Sequence, residues 1–143
     1  MENIICYFDG ACGPMNPGGD MGFGAEIRST RPNDVLATYY GGLPASPRNS
    51  SNVAEYKALR WTLEWLIDNE MTDASITIVG DSMLVVNQMS GRWRIKNGFY
   101  VSEALMCKKL LRGFSRCVIH WVCREKNARA DELSKMGIIL ARN

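Results

Sequence analysis

Two β-favouring runs in this chain each end on an aspartate, and that pairing limits the folds open to it. Asn3-Ile4-Ile5-Cys6-Tyr7-Phe8 leads into Asp9-Gly10, and Ile76-Thr77-Ile78-Val79-Gly80 leads into Asp81-Ser82. Short apolar runs rich in β-branched residues and bounded by turn residues read as buried strands. A helical pattern resumes after the second acid at Leu84, Val85 and Gln88, so the local order is strand, acid, helix. In an α/β sheet the carboxyl ends of neighbouring strands share one edge, where ligands of such folds gather. Both aspartates are expected there.

The remaining elements follow from changes of period. Met21 to Arg28 and Val35 to Leu43 read as two more strands, with Pro32-Asn33-Asp34 supplying the turn, so the first three strands form an antiparallel meander. Beyond Asn49-Ser50-Ser51 the period becomes helical, with Tyr56, Leu59, Leu63 and Leu66 on one side through Asp68. Residues 99–112 read as another helix, Val118 to Val122 as the last strand, and a final helix starts near Asn127 with Ala130, Leu133 and Met136 on one face. The expected fold class is α/β: a five-stranded mixed sheet, three antiparallel strands then two parallel, flanked by helices. At 143 residues, 46% of them hydrophobic, the chain is expected to form one domain spanning 1–143.

The formal charge of +2 is too mild to establish a polyanionic partner, so the distribution of charge decides. Arg92, Arg94, Lys96, Lys108, Lys109, Arg112 and Arg116 crowd one stretch in which Glu103 is the only acid, a candidate phosphate-facing surface. Five cysteines without a CxxC pair argue against a disulfide frame or a zinc site and for a reducing cytoplasm. The start of the sequence lacks the basic and apolar regions of a signal peptide, and no segment has the length of a membrane span.

Four acids fall where the fold can gather them: Asp9 and Asp81 at strand ends, Glu55 in the first turn of the long helix, and Asp131 near the start of the last. Each has an ordinary structural role available. Asn52 and Glu55 have capping-box spacing, Asp131 suits a helix dipole, Asp9 suits a turn, and Asp81 suits an N-cap. Their combination is harder to explain in that way. Two carboxylates about 4 Å apart repel by roughly 4 kcal/mol at an effective dielectric near 20, so a cluster is costly unless cations fill it. Oxygen-only ligands suit Mg²⁺, which binds through few carboxylates, retains waters and takes its remaining ligands from phosphate.

Four sequence blocks then carry a resemblance. Tyr7-Phe8-Asp9-Gly10-Ala11 with Asn16-Pro17-Gly18 and Gly22-Phe23-Gly24-Ala25 resembles the acid-Gly-Ala/Ser turn and Gly-rich hairpin that open type 1 ribonuclease H. Asn52-Val53-Ala54-Glu55 is similar to that family's Asn-x-x-Glu helix start. Asp81-Ser82 with Val85-Val86 is similar to its third acid, and Asn127-Ala128-Arg129-Ala130-Asp131-Glu132-Leu133-Ser134 to its fourth. The blocks occur in family order over residues 5 to 137.

The resemblance implies an endoribonuclease that cuts the RNA strand of RNA–DNA hybrids, leaving 5′-phosphate and 3′-hydroxyl ends. It implies that Asp9, Glu55, Asp81 and Asp131 are catalytic and hold two Mg²⁺ ions, with Mn²⁺ able to substitute, one ion activating water and the other stabilising the leaving oxygen. It further implies that Asn16, Ser51 and Asn52 contact the hybrid's minor groove, where 2′-hydroxyls distinguish RNA from DNA. The same residues also suit a turn and helix caps. A monomer without protein partners is expected.

Two departures from the family pattern stand out. The loop histidine that many members carry before the last helix is replaced by Cys123-Arg124-Glu125-Lys126 in a shorter loop, and the sole histidine, His120, reads as a strand residue. The basic protrusion of some bacterial members is abbreviated to Gly91-Arg92-Trp93-Arg94-Ile95-Lys96. Arg92, Trp93, Arg94 and Lys96 suit phosphate tracking and stacking, or a solvated face with Trp93 packed on the neighbouring helix. Two rival functions are weighed against this one: a 3′ to 5′ exonuclease of the same fold, disfavoured because Asp9-Gly10-Ala11 lacks an Asp-x-Glu, and a binding module, disfavoured because a binder gains only repulsion from four acids.

Overall fold

The structure is a computed structural model and describes residues 2–143. Five strands form one sheet in the order β3-β2-β1-β4-β5, where β1 is Asn3–Gly13, β2 Asp20–Thr30, β3 Asn33–Leu43, β4 Ser75–Gly80 and β5 Arg116–Trp121. β1 pairs antiparallel with β2, and β2 with β3; β4 runs parallel to β1, and β5 to β4. The helices are α1 (Ser51–Asp68), α2 (Met83–Met89), α3 (Val101–Leu111) and α4 (Ala128–Arg142), the last preceded by a 3₁₀ turn at Arg124–Asn127. This is the mixed five-stranded α/β sheet that the sequence pattern predicts, with the same strand directions.

Period-2 alternation divides β1 between the two faces of the sheet. Ile4, Cys6 and Phe8 enter the main core with Ala25 and Ile27 of β2, Ile76 and Ile78 of β4, and Ala54, Tyr56, Ala58, Leu59, Leu63 and Leu66 of α1. Asp9 lies on the opposite face, which α4 covers: Ser134 of α4 bonds Asp9, and Leu133 lies against Gly24, the β2 partner of Asp9. The sheet is thus sandwiched, with α1 on one side and α4 on the other.

Several local details differ from the sequence reading. β1 does not stop at Phe8 but continues through Asp9 to Gly13, because its pairing with β2 extends to Gly13↔Asp20. The β2–β3 turn is Arg31-Pro32, and Asn33 and Asp34 already pair with Thr30 and Ser29. α1 is capped by Ser50, whose hydroxyl accepts from Val53 N at 3.2 Å, so Asn52 is a helical residue and the Asn52–Glu55 capping box does not form. Likewise Ser82, not Asp81, caps α2 by accepting from Val85 N. Both acids are therefore free of capping duty. Among the described residues no helix is long and apolar enough to cross a membrane.

Candidate active site

Gly10 sets the distance between β1 and α1. A Cβ built there would sit 2.2 Å from Glu55 N and 2.3 Å from the Ala54 carbonyl carbon, so only glycine lets the first turn of α1 lie directly on the strand. That contact brings Glu55 beside Asp9. β4 contributes the third acid: its register with β1 puts Val79 opposite Tyr7, and two residues later the chain reaches Asp81. Asp9, Glu55 and Asp81 each offer a carboxylate oxygen, and these three atoms lie within 4.8 Å of one another.

α4 reaches the same edge from the other face. It packs closely because Gly42 and Gly137 leave no side chain between helix and sheet: a Cβ on Gly42 would meet the Gly137 carbonyl oxygen at 2.0 Å. Asn127, ahead of α4, donates from Nδ2 to the Phe8 carbonyl at 2.9 Å, and Ser134 Oγ lies 3.4 Å from Asp9 Oδ2 and donates to the Asp131 carbonyl at 2.8 Å. Asp131 itself stands outside the three-carboxylate cluster, paired with Lys135 Nζ at 3.0 Å. Of the four sequence-predicted acids, three share one focus and the fourth flanks it.

The electrostatics of the cluster are those of buried like charges. Burial raises the Asp9 carboxyl from 3.8 to about 7; a hydrogen bond from Glu55 opposes this, and the charge of Asp81 adds to it. Burial also pushes Glu55 well above the usual carboxylate range, and the charge of Asp9 reinforces the shift. One Glu55 oxygen, Oε2, is buried without a hydrogen-bond partner, which is costly for a carboxylate unless something else satisfies it. An unpaired buried oxygen among three converging carboxylates, with no nitrogen or sulfur ligand beside it among the described residues, fits a hard divalent cation. The cationic neighbour on the open side is Arg124, 3.8 Å from Asp81 Oδ2, in the short loop where the sequence lacks a histidine. His120 is an exposed residue of β5 paired with Val79.

The remaining sequence-predicted residues form two groups. Asn16 and Ser51 exchange hydrogen bonds, Asn16 Nδ2 donating to Ser51 Oγ and Ser51 N to Asn16 Oδ1, both at 3.0 Å, which ties the β1–β2 loop to the start of α1. Asn52 follows, half-buried in the first turn. Sequence reasoning missed Asn49, which is buried and donates to the Gly19 and Pro44 carbonyls, holding the same loop from below. Arg92, Trp93, Arg94 and Lys96 are all exposed, Trp93 at 46%, and they surround a cavity of about 530 Å³ with Leu84, Gln88 and Tyr100. Trp93 is therefore not a core residue.

The chain is also similar to known proteins in sequence and in fold. A family model described as reverse transcriptase-like matches residues 8–137. The bifunctional protein Rv2228c of Mycobacterium tuberculosis is 35% identical over 119 residues, which are 83% of this chain and 31% of that protein. Its N-terminal RNase H domain, solved as a fusion with maltose binding protein, superposes with a TM-score of 0.88 at 27% identity over 99% of this chain and 97% of that one. Ribonuclease HI of Halobacterium salinarum is 34% identical over 141 residues, 94% of this chain and 64% of that protein. LC11-RNase H1, solved in complex with an RNA/DNA hybrid, gives a TM-score of 0.83 at 30% identity over 98% of this chain and 99% of that one. The chain thus spans about a third to two thirds of the length of the curated relatives it matches.

Proposed function

Because the chain belongs to the reverse transcriptase-like family and shares its fold with RNase H proteins, we propose that it is a ribonuclease H that cuts the RNA strand of RNA–DNA hybrids. The observation that carries this reading is the focus of Asp9, Glu55 and Asp81, with ligand oxygens within 4.8 Å and one Glu55 oxygen unsatisfied. These three residues would hold Mg²⁺, with Mn²⁺ as a substitute, and Asp131 would complete the set from α4. Two bound ions would supply Lewis acidity to the scissile phosphate and a lowered pKa to the attacking water.

The protein's own contribution is to hold ligands and substrate. Gly10 seats α1 so that Glu55 reaches the strand end, while Ser134 and Asn127 fix α4 and hence Asp131 against β1. Arg124 offsets the negative charge at Asp81 on the open side. Asn16, Ser51 and Asn52 present polar groups suited to the 2′-hydroxyls of the RNA strand, and Arg92, Arg94 and Lys96 neutralise phosphates, with Trp93 available to pack on sugar or base. The products would carry 5′-phosphate and 3′-hydroxyl ends. The five cysteines are free, which suits a reducing cytoplasm.

The test is Mg²⁺-dependent cleavage of one sequence presented as RNA–DNA hybrid, duplex RNA and duplex DNA. Internal cuts confined to the RNA of the hybrid support the proposal. Stepwise loss from a 3′ end would point to an exonuclease, and binding without cleavage to a module that has lost the chemistry.

A further inference from the structure

Gln88 is 1% exposed near the end of α2, a position where an apolar side chain would make no polar demand. Its carboxamide is instead engaged at both ends. Oε1 accepts from the Tyr56 hydroxyl at 2.6 Å, while Nε2 donates to the Arg94 carbonyl at 3.0 Å and to the Tyr100 hydroxyl at 3.1 Å. An amide turned end for end would set its oxygen against the Arg94 carbonyl, so the network admits one orientation. The Tyr100 hydroxyl also accepts from Lys96 N at 3.4 Å, and the Tyr56 and Tyr100 rings stack at 5.8 Å with 6° between their planes.

The groups joined in this way belong to two different parts of the candidate site. Tyr56 follows Glu55 in α1. Arg94 and Lys96 lie in the exposed cationic segment, which has no helix or strand of its own over residues 92–97. α2 secures the near end of that segment, since Arg92 N and Trp93 N donate to the Asn87 carbonyl at 2.9 and 3.0 Å. Gln88 secures its middle. Gln88 and Tyr56 are buried and the bonds to Arg94 and Tyr100 are partly so, and an arrangement without those bonds leaves the desolvated Gln88 carboxamide short of a partner.

We propose that Gln88 is a positioning residue for the substrate. Through Tyr56 and Tyr100 it holds the segment from Arg92 to Lys96 at a fixed distance from the Glu55 end of α1. The phosphates gripped by the segment and the phosphodiester at the carboxylates are then separated by one defined length of hybrid. Gln88 thereby sets where along the hybrid the cut falls. The inference rests on the reading of this segment as a phosphate grip.

Steady-state cleavage of a short end-labelled hybrid tests it, with wild type, Gln88→Met, the triple variant Arg92→Ala/Arg94→Ala/Lys96→Ala, and the two combined. Gln88→Met is expected to raise KM about 5- to 20-fold, to leave kcat within about two-fold, and to spread the positions of cleavage. On the triple-variant background it should add nothing to KM, because the groups it positions are gone. Tyr100→Phe keeps the ring stack but removes the hydroxyl, so it should shift KM the same way by a smaller factor, and it decides the matter if Gln88→Met fails to fold. Normal KM and cleavage positions in Gln88→Met, or in Tyr100→Phe where only that variant folds, would overturn the inference, as would a KM effect persisting in full on the triple background. A triple variant with wild-type KM would instead remove the phosphate grip itself, and the inference with it.

Discussion

Asn127 donates from Nδ2 to the carbonyl oxygen of Phe8 at 2.9 Å, joining the start of α4 to the strand residue that precedes Asp9. Asn127 is 1% exposed, so its loss leaves a buried carbonyl without this donor. Asn127→Ala is expected to lower stability by about 1–3 kcal/mol, measured by urea denaturation. It should also lower kcat more than it raises KM, since α4 carries Asp131 and Ser134. Unchanged stability would mean that the bond contributes nothing beyond what water replaces.

The cluster of acids predicts an unusual pH response in the metal-free protein. Asp9 titrates near 7 when folded against 3.8 otherwise, and Glu55 is raised as well, so the folded state binds protons that the unfolded chain has released. An acid raised in this way stabilises the fold at low pH, and the contribution is lost as pH rises toward the folded value. In EDTA the melting temperature should therefore fall between about pH 5 and 8. Asp9→Asn should flatten that fall and melt higher than wild type at pH 8, while Mg²⁺ should raise the wild-type value there. A wild-type melting temperature that climbs over this range in EDTA would contradict the arrangement.

Salt dependence tests the cationic segment. If Arg92, Arg94 and Lys96 each neutralise about one phosphate, their joint replacement by Ala should flatten the slope of log affinity against log salt by ~2 to 3, given roughly 0.9 per phosphate on duplex DNA. Affinity should fall more than turnover at saturating hybrid. Binding measured by titration in Ca²⁺ isolates the effect, and a wild-type slope would move the grip to Lys108 and Lys109 of α3 and Arg112 just after it. Trp93→Ala should weaken binding more than it lowers the melting temperature, since 46% of the side chain is exposed; a lowered melting temperature with normal binding would make it a packing residue.

Sequence makes legible those parts of the fold that local pattern sets. The β4 run and its helix-flanked aspartate read directly, as does the periodic face of α1, because burial on one side imposes a period that survives in the residues; α4 reads in part, since Ala130 and Leu133 are buried but Ser134 and Gly137, rather than the half-buried Met136, complete its face. The end of β1 does not read, since Ala11-Cys12-Gly13 has little strand preference and extends only by pairing with β2. The α1 cap misleads, because Ser50–Val53 and Asn52–Glu55 have the same spacing and only the extended backbone at Ser50 selects between them. The offset of Asp131 toward Lys135 and the bond between Tyr56 and Gln88 are not visible in sequence. The first depends on side-chain direction, and the second joins residues on separate helices whose approach is a product of the whole fold.

The most direct test of the central claim is cleavage of a labelled RNA–DNA hybrid in Mg²⁺ by wild type, Asp9→Asn and Asp81→Asn, with hybrid binding measured in parallel. The wild type should cut the RNA internally and leave 5′-phosphate ends. Either substitution should reduce cleavage by about 10³-fold or more, the range in which loss of an essential electrostatic group at a reaction centre falls, while binding persists. Wild-type turnover by either variant would contradict the assignment of these carboxylates to the chemistry.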